Sequence, residues 1–261
     1  MKNIIPIFLI SCFSLSIISC AKRDGSSDTT IWSGTKIIGA STSDYGTGVT
    51  LESSDNFFAS GQSKKGLDGS TNSGNDDIFL VKYNSSGTKR WTEKLGISDN
   101  ESGISLAVDS FDNIYVTGYA KGELDGNTNS GNYDIFLIKY NSSGIKQWTK
   151  QLGDSAANHG MGMTVDSFDN IYVAGFTKRV LDGNINLGGE DIVLMKYNSL
   201  GTKQWTKQLV SSASDFALDV TVDSSDNIYV TGFANRSFEE NFNHLSDEIF
   251  LVKYNSDGVK Q

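Results

Sequence analysis

The hydrophobic and polar residues of this chain follow the alternation of β-strands rather than the spacing of helices. In ISLAVDS, residues 104–110, large apolar residues alternate with small or polar ones, as in a pleated strand. The next segment, NIYVTGY, is rich in the β-branched and aromatic residues typical of strands. DIFLIKY is a continuous apolar run that indicates burial on both faces, and IKQWTKQL is polar with one large aromatic, as at a sheet margin. The pattern therefore predicts four strands in succession.

Two kinds of connection join these predicted strands. DSFDN and NSSG are short Asp, Asn and Gly turns, which predict tight hairpins after the first and third strands. AKGELDGNTNSGNY and GDSAANHGMG are longer, and both are expected to emerge at the same end of the unit. Long loops on a rigid scaffold commonly carry binding sites, so that end is the predicted functional face.

The same unit recurs along the chain with a period of 57 residues. The dipeptide KY marks it at Tyr83, Tyr140, Tyr197 and Tyr254, and DN recurs with the same spacing. Three intervals without an insertion predict one structural unit copied four times within residues 31–261, with units starting near 47, 104, 161 and 218. Such repeats predict an all-β fold, a β-propeller of four 57-residue, four-stranded units, rather than a parallel β-helix, whose rungs are far shorter.

The segments VDSFDNIYVTG and DIFLIKYNSSGIKQW resemble the SBBP family, the seven-bladed β-propeller repeat of bacterial exported proteins. The resemblance covers about residues 32–261 and recurs four times. It implies a propeller fold and an envelope or extracellular setting, and it implies no single activity. Seven blades of this length would need about 400 residues, whereas four units are present here.

The fourth unit differs from the others in its last strand. Earlier copies of its final phrase run on to a tryptophan such as Trp91, while the fourth copy reads VKYNSDGVKQ. Upstream of the first unit, TTIWSGTKIIGAS resembles an isolated fourth strand, with Ile38 aligned to Leu95 and Trp32 lying 59 residues before Trp91. Two interpretations stay open: the N-terminal strand pairs with the last unit and closes the ring, or a premature stop shortened that unit.

The N-terminal residues predict export rather than a part of the fold. Residues 1–19 combine Lys2 with an apolar run that is short for a membrane span but suits a signal peptide. IISC resembles a lipobox, which predicts that Cys20 is lipidated and that residues 20–30 form a flexible tether. The expected location is the bacterial cell envelope, at the outer membrane or cell surface; ordinary cleavage and an uncleaved anchor are the alternatives. Since Cys12 and Cys20 are the two cysteines, the repeat region has neither a disulfide nor a thiol nucleophile.

The net charge of −9 argues against nucleic acid, which requires clustered Lys and Arg. The expected partner is a protein or a glycan, with the membrane contacted through the lipid anchor only.

The loops LDGSTNSGNDD, LDGNTNSGNYD and LDGNINLGGED place oxygen ligands at similar positions and are candidate ligand or calcium sites. The aligned residues are Asp68, Asn72, Asp77, Asp125, Asn129, Asp134, Asp182, Asn186 and Asp191. The Gly lies one position late for an EF-hand and the twelfth-position Glu is missing, so turn formation is the alternative and no cofactor is firmly expected.

The repeated aromatic residues are expected to be structural. Trp32, Trp91, Trp148 and Trp205, like the four tyrosines of the KY pairs, recur at one place per unit, which favours packing between units over a sugar-stacking ring.

Catalysis finds little support in the sequence. His159 and His244 are expected in different loops and do not recur, and the chain has no HExxH, GxSxG or phosphate-binding glycine motif. The sequence therefore favours a non-enzymatic binding scaffold. The alternatives are a truncated propeller with little independent activity and a hydrolase or lyase at the central channel.

The calcium hypothesis makes a direct prediction. If the aligned Asp and Asn residues bind Ca²⁺, chelation with EGTA should lower the melting temperature, because a ligand that binds only the folded state stabilises it. Differential scanning calorimetry with and without EGTA tests this, and an unchanged melting temperature would contradict the hypothesis.

Overall fold

The computed structural model describes residues 35–39, 43–64, 67, 76–96, 101–235 and 248–261. The chain divides into two compact units, Met1–Ile31 and Trp32–Gln261, and the described residues all belong to the second. Several predictions therefore concern residues outside the described part: the signal peptide, Cys12, Cys20, Trp32, Asp68, Asn72 and His244.

The described residues form fifteen β-strands and no helix. The first sheet contains β1 (Asp44–Leu51), β2 (Phe57–Ser63), β3 (Asp77–Tyr83) and β4 (Lys89–Leu95). The second sheet contains β5 (Glu101–Val108), β6 (Ile114–Ala120), β7 (Asp134–Tyr140) and β8 (Lys146–Leu152). The third sheet contains β9 (Asn158–Val165), β10 (Ile171–Thr177), β11 (Asp191–Tyr197) and β12 (Lys203–Leu209). The fourth sheet contains β13 (Asp215–Val222), β14 (Ile228–Ala234) and β15 (Glu248–Tyr254).

Each sheet is an antiparallel meander in which every strand pairs with the next strand of the chain. Five-residue hairpins follow the first and third strands, as the Asp, Asn and Gly turns predicted. The Asp of each DN pair has a positive φ of 59–61°, a left-handed turn conformation that Asp tolerates better than most residues. The prediction of an all-β fold of repeated antiparallel sheets is confirmed, with four sheets of three or four strands.

The first strand of each sheet is longer than the sequence indicated. These strands begin at Asp44, Glu101, Asn158 and Asp215, three residues before the predicted unit starts. A β-bulge between Gly160 and Gly162 breaks the alternation of β9, and the strand continues beyond it. His159 therefore lies in a strand, so its predicted place in a loop was wrong. For the same reason the connection between the second and third sheets shortens to residues 153–157.

Neighbouring sheets pack face to face, and three hydrophobic clusters each combine residues of two sheets. Ile135 and Leu137 of β7, each 2% exposed, pack with Met163, Val173 and other residues of the third sheet. Equivalent clusters join the first sheet to the second and the third to the fourth. β3, β7 and β11 are buried on both faces, as their apolar sequences predicted.

The extensive contacts between described sheets join the first to the second, the second to the third and the third to the fourth. Ile38 packs on Phe79 and Val81 of the first sheet, and residues 35–39 form no described ladder with β15. Closure of a ring by the N-terminal strand stays a prediction, since Trp32 lies outside the described residues. Among the residues with described structure, no helix is long and apolar enough to cross a membrane.

The packing between sheets predicts a contrast between two identical substitutions. Leu137→Ala removes a side chain that is 2% exposed and should lower the free energy of unfolding by about 2–5 kcal/mol, because it leaves a cavity between two sheets. Leu200→Ala, in a hairpin turn where the side chain is 77% exposed, should change it by less than about 0.5 kcal/mol. Urea unfolding followed by tryptophan fluorescence measures both, and equal losses would contradict the described packing.

Candidate binding face

The loop aspartates predicted to bind calcium are engaged by side chains of their own sheets. Asp125 has a positive φ of 51° and its carboxylate pairs with Lys146 at 2.6 Å, while Thr149 also donates to it. Asp182 of the next unit repeats this arrangement with Lys203 and Thr206. Burial alone would raise the pKa of Asp125, but the hydrogen bonds and charge of Lys146 outweigh it and hold the pKa below its usual range.

The other predicted ligands make hydrogen bonds within the loops. Asn129 donates to the Ala120 carbonyl at 3.3 Å and accepts from the Gly131 amide at 3.2 Å. Asn186 donates to the Gly189 carbonyl at 3.3 Å. Within the described ranges, no group of three or more His, Cys, Asp or Glu side chains could hold a metal ion. Calcium binding by these loops stays a prediction that the geometry does not favour.

The last aspartate of each loop begins the third strand of its sheet and is almost completely buried. Asp77 pairs with Lys94 at 2.5 Å, and Asp134 accepts from the Ser130 amide at 2.9 Å. Asp191 is 0% exposed and accepts a hydrogen bond from Gln208 at 3.0 Å. Burial, together with the negative charge of Asp215, raises the pKa of Asp191 to about 6. Burial also raises the pKa of Asp215 and of Asp134.

The repeated aromatic residues lie between sheets rather than on an open surface. Trp148 lies 5.9 Å from Tyr115, and its ring borders the turn glycine Gly201 of the next sheet, where an added Cβ would lie 3.0 Å from the indole. Trp91 and Trp205 repeat this placement against Gly144 and Gly258. The tyrosines of the KY pairs are all at most 7% exposed: Tyr83, Tyr140, Tyr197 and Tyr254.

The structure reveals an aromatic row that the sequence did not predict. Five rings follow one another across the second, third and fourth sheets in the order Tyr119, His159, Phe176, Phe216 and Phe233. Their successive ring centroids are 4.3, 4.7, 4.7 and 4.7 Å apart. All five are partly exposed. We call these five residues the aromatic row.

Strand pairing places the aromatic row at the end of the sheets that carries the long loops. His159 is the second residue of β9 and pairs with Phe176 near the end of β10, just before the loop to β11. Phe216 and Phe233 form the same cross-strand pair in the fourth sheet. The predicted functional face therefore carries a group of aromatic side chains that come from the first and second strands of the sheets.

Part of this row was visible in the sequence. Tyr119, Phe176 and Phe233 recur at the 57-residue period, and that recurrence could have identified them. His159 and Phe216 also lie 57 residues apart, but their counterpart in the second sheet is Ser102, so this pair gave a weaker signal in the sequence.

His159 contributes an uncharged ring to the aromatic row. Burial, together with the positive charge of Lys178, lowers the pKa of His159 to about 4, so the imidazole is neutral at pH 7. Lys178 itself pairs with Glu190 at 3.0 Å, and Ser214 donates to the same carboxylate at 2.6 Å. The row is thus bordered by charged and hydroxyl groups.

An open groove lies at the same loop-bearing end, between the second and third sheets. It is lined by Asp154, Ser155, Arg179, Val180 and Asn186, which offer both hydrogen-bond donors and acceptors. The combination of flat apolar rings with neighbouring polar groups is the composition of a binding surface.

This fold of repeated antiparallel sheets is that expected of a β-propeller repeat protein. The SBBP family, described as a beta-propeller repeat, matches residues 90–125, 147–178 and 204–239. The chain thus contains three segments that match the SBBP repeat, as its sequence predicted.

Two curated proteins share part of this sequence. The regulatory protein FlaEY of Caulobacter vibrioides is 30% identical over 177 residues, which are 62% of this chain and 19% of that protein. An uncharacterized WD repeat-containing protein of Acanthamoeba polyphaga mimivirus is 26% identical over 205 residues, which are 65% of this chain and 15% of that protein. The chain therefore spans less than a fifth of the length of these relatives.

Among solved structures, xylan beta-1,4-xylosidase from Bacillus halodurans matches with a TM-score of 0.46 and 15% identity, over 82% of this chain and 42% of that one. A protein of unknown function from Bacteroides caccae matches with a TM-score of 0.44 and 11% identity, over 70% and 52% of the two chains. At these scores neither structure carries an argument about fold or activity.

The buried carboxylates predict an unusual dependence of stability on pH. Because the folded-state pKa of Asp191 is raised from 3.8 to about 6, the folded state binds this proton more tightly than the unfolded state does. The contribution of Asp191 should therefore favour folding below pH 4 and be lost as the pH rises to about 6, by at most about 3 kcal/mol. Asp191→Asn should be more stable than the unmodified protein at pH 7 and should lose that advantage at pH 4.

Urea unfolding between pH 4 and 8 measures this difference. Asp125→Asn is the matched control, since the lowered pKa of Asp125 gives the opposite sign: the advantage of the unmodified protein is present above about pH 4 and is lost only as the pH falls below it, so this difference should stay nearly constant from pH 5 to 8. The same pH dependence of the free energy of unfolding for both variants would contradict the raised pKa of Asp191 and the lowered pKa of Asp125.

Proposed function

We propose that this protein is a non-enzymatic interaction scaffold of the bacterial cell envelope that binds a protein or glycan through its loop-bearing end. The observation that carries the proposal is the aromatic row, which brings five partly exposed rings from three sheets into one line. Its residues come from rigid strands, so little conformational entropy is lost when a partner binds them.

The chemistry of this end suits a partner with alternating apolar and hydroxyl surfaces. Aromatic faces pack against apolar patches such as those of sugar rings, while Arg179, Ser155 and Asn186 in the adjoining groove can bond hydroxyl or amide groups. A neutral His159 avoids burying a charge under the ligand.

The proposed location is the membrane surface, to which a lipid on Cys20 would attach the protein. This part of the proposal is based on the signal-like residues 1–19 and the IISC sequence. A ten-residue tether reaches at most about 35 Å when fully extended. The sheets would therefore stay close to the membrane surface, where cell-wall glycans and envelope proteins are concentrated.

We further propose that the four sheets are blades of a propeller. The first three sheets have four strands each and the fourth has three described strands. A strand with the sequence pattern of residues 30–39 would complete the fourth sheet, as the alignment of Ile38 with Leu95 predicts.

Substitution in the aromatic row tests the binding function. Partners would be identified by glycan array and by cross-linking in envelope extracts, and their affinity measured by calorimetry for the unmodified protein and for Phe176→Ala. We expect at least about a tenfold loss of affinity, because a central aromatic contact is worth more than about 1.4 kcal/mol.

Phe168→Ala is the control for this experiment. Phe168 is 75% exposed in the hairpin turn at the opposite end, so its removal should leave affinity unchanged. Equal affinities for Phe176→Ala and the unmodified protein would contradict the proposal.

A further inference from the structure

The interface between consecutive sheets occurs three times, with the same residue types at equivalent positions of the repeats. A serine in the first hairpin of one sheet donates its amide and hydroxyl to the DN aspartate of the next: Ser53 to Asp112 at 2.8 and 2.7 Å, and Ser110 to Asp169 at 2.9 Å for both bonds. Ser167 and Asp226 repeat the contact. Every sheet thus presents a donor on its forward side and an acceptor on its rear side.

The forward side of the fourth sheet is uncovered. Ile249 and Leu251 of β15 are 89% and 71% exposed. Their equivalents in the other sheets are at most 2% exposed: Ile78, Leu80, Ile135, Leu137, Ile192 and Leu194. Ser224, the counterpart of Ser53, lies exposed in its turn.

The inner part of the rear side of the first sheet is uncovered as well. Val49 of β1 is 72% exposed, whereas its equivalents Leu106, Met163 and Val220 are 8%, 5% and 4% exposed. Asp55, the counterpart of Asp112, is exposed too. These exposures also show that the fourth sheet does not cover the first sheet within the same chain.

The outer part of that rear side carries a short segment in the position of a fourth strand. Ile38 packs against the cluster that contains Phe79 and Val81 of the first sheet, just as Leu152 at the end of β8 packs against the cluster that contains residues of the third sheet. Residues 35–39 therefore occupy the place of the last part of a preceding sheet, whose other three strands are not supplied by the described chain.

We propose that a second copy of this chain supplies the other three strands of that preceding sheet. The fourth sheet of one copy packs on the first sheet of the other, and residues 35–39 of each copy lie beside the fourth sheet of its partner. The forward side of the fourth sheet and the rear side of the first sheet are the two halves of an interface that the chain already forms three times. A second copy of the chain therefore carries the surface that is complementary to each of them. The inference does not depend on the proposed binding function.

Two copies joined reciprocally in this way make a closed ring of eight sheets. A head-to-tail contact either closes into a ring or continues as a filament, and propellers typically contain four to eight blades. Closure also hides the open edge of β15, and exposed strand edges otherwise promote aggregation.

Disulfide trapping between copies tests the proposal. Ser224→Cys and Asp55→Cys are made separately in the full-length chain, in a Cys12→Ser, Cys20→Ser background and mild detergent, and then mixed under oxidising conditions. We expect a covalent dimer in the mixture and little in either variant alone. The control is Ser110→Cys with Asp169→Cys in one chain, the equivalent internal contact, which should cross-link within a monomer.

The combined Ser224→Cys, Asp55→Cys variant distinguishes the outcomes. A closed twofold ring should give covalent dimers and nothing larger. An internally linked monomer would show closure within one chain, a ladder of larger species would show an open filament, and no cross-link with a working control would show that the surfaces do not meet; each overturns the proposal.

An independent measurement follows association in solution. Leu251→Glu should weaken dimerisation in sedimentation experiments by at least about tenfold, because it places a charge in an apolar interface. Leu200→Glu, at a side chain that is 77% exposed in a hairpin turn, is the control and should leave the dimer intact. A monomeric unmodified protein at micromolar concentration would overturn the proposal.

Discussion

A largely buried lysine that reaches from one sheet into the next makes the interaction on which the arrangement depends. Lys139 Nζ lies 3.4 Å from Asp109, 3.1 Å from the Ser199 carbonyl of the following sheet and 5.0 Å from the centre of the Tyr115 ring. A buried charge is strongly destabilising unless it is paired and hydrogen-bonded. Since one partner of this lysine belongs to the neighbouring sheet, the charge is fully satisfied only when the two sheets are in contact. Lys82 and Lys196 repeat the arrangement, with carbonyl distances of 3.0 and 3.1 Å.

The two ends of the sheets differ in their electrostatics. At the hairpin end, burial would raise the pKa of Asp109, but hydrogen bonds from Asn113 and Tyr115 outweigh it and lower the pKa. At the loop-bearing end, burial dominates and raises the pKa of Asp134, Asp191 and Asp215. The carboxylates whose pKa is lowered by hydrogen bonds thus lie at the hairpin end, while those whose pKa is raised by burial lie at the end with the aromatic row. Binding sites often carry such local instability, which the rest of the structure compensates.

Periodicity in the sequence was sufficient to predict the strands, their pairing and the repeated sheets, because each depends on residues close together in the chain. The bridging role of Asp112 was not predictable, since its partner Ser53 is 59 residues away and nothing local distinguishes it from a turn residue. The loop aspartate Asp125 resembled a calcium ligand because its partner Lys146 lies on another strand, 21 residues later. The aromatic row was missed for a similar reason: His159 acquires its neighbours only through the bulged extension of β9.

The repeated bonds by which a hairpin serine or a KY lysine reaches the next sheet join residues that are 59 or 60 positions apart. An unequal recombination event that inserts or deletes one 57-residue repeat in the gene would therefore leave each remaining bond with a correctly spaced partner. The number of repeats can change in one genetic step without a compensating point mutation, while the individual loops diverge independently.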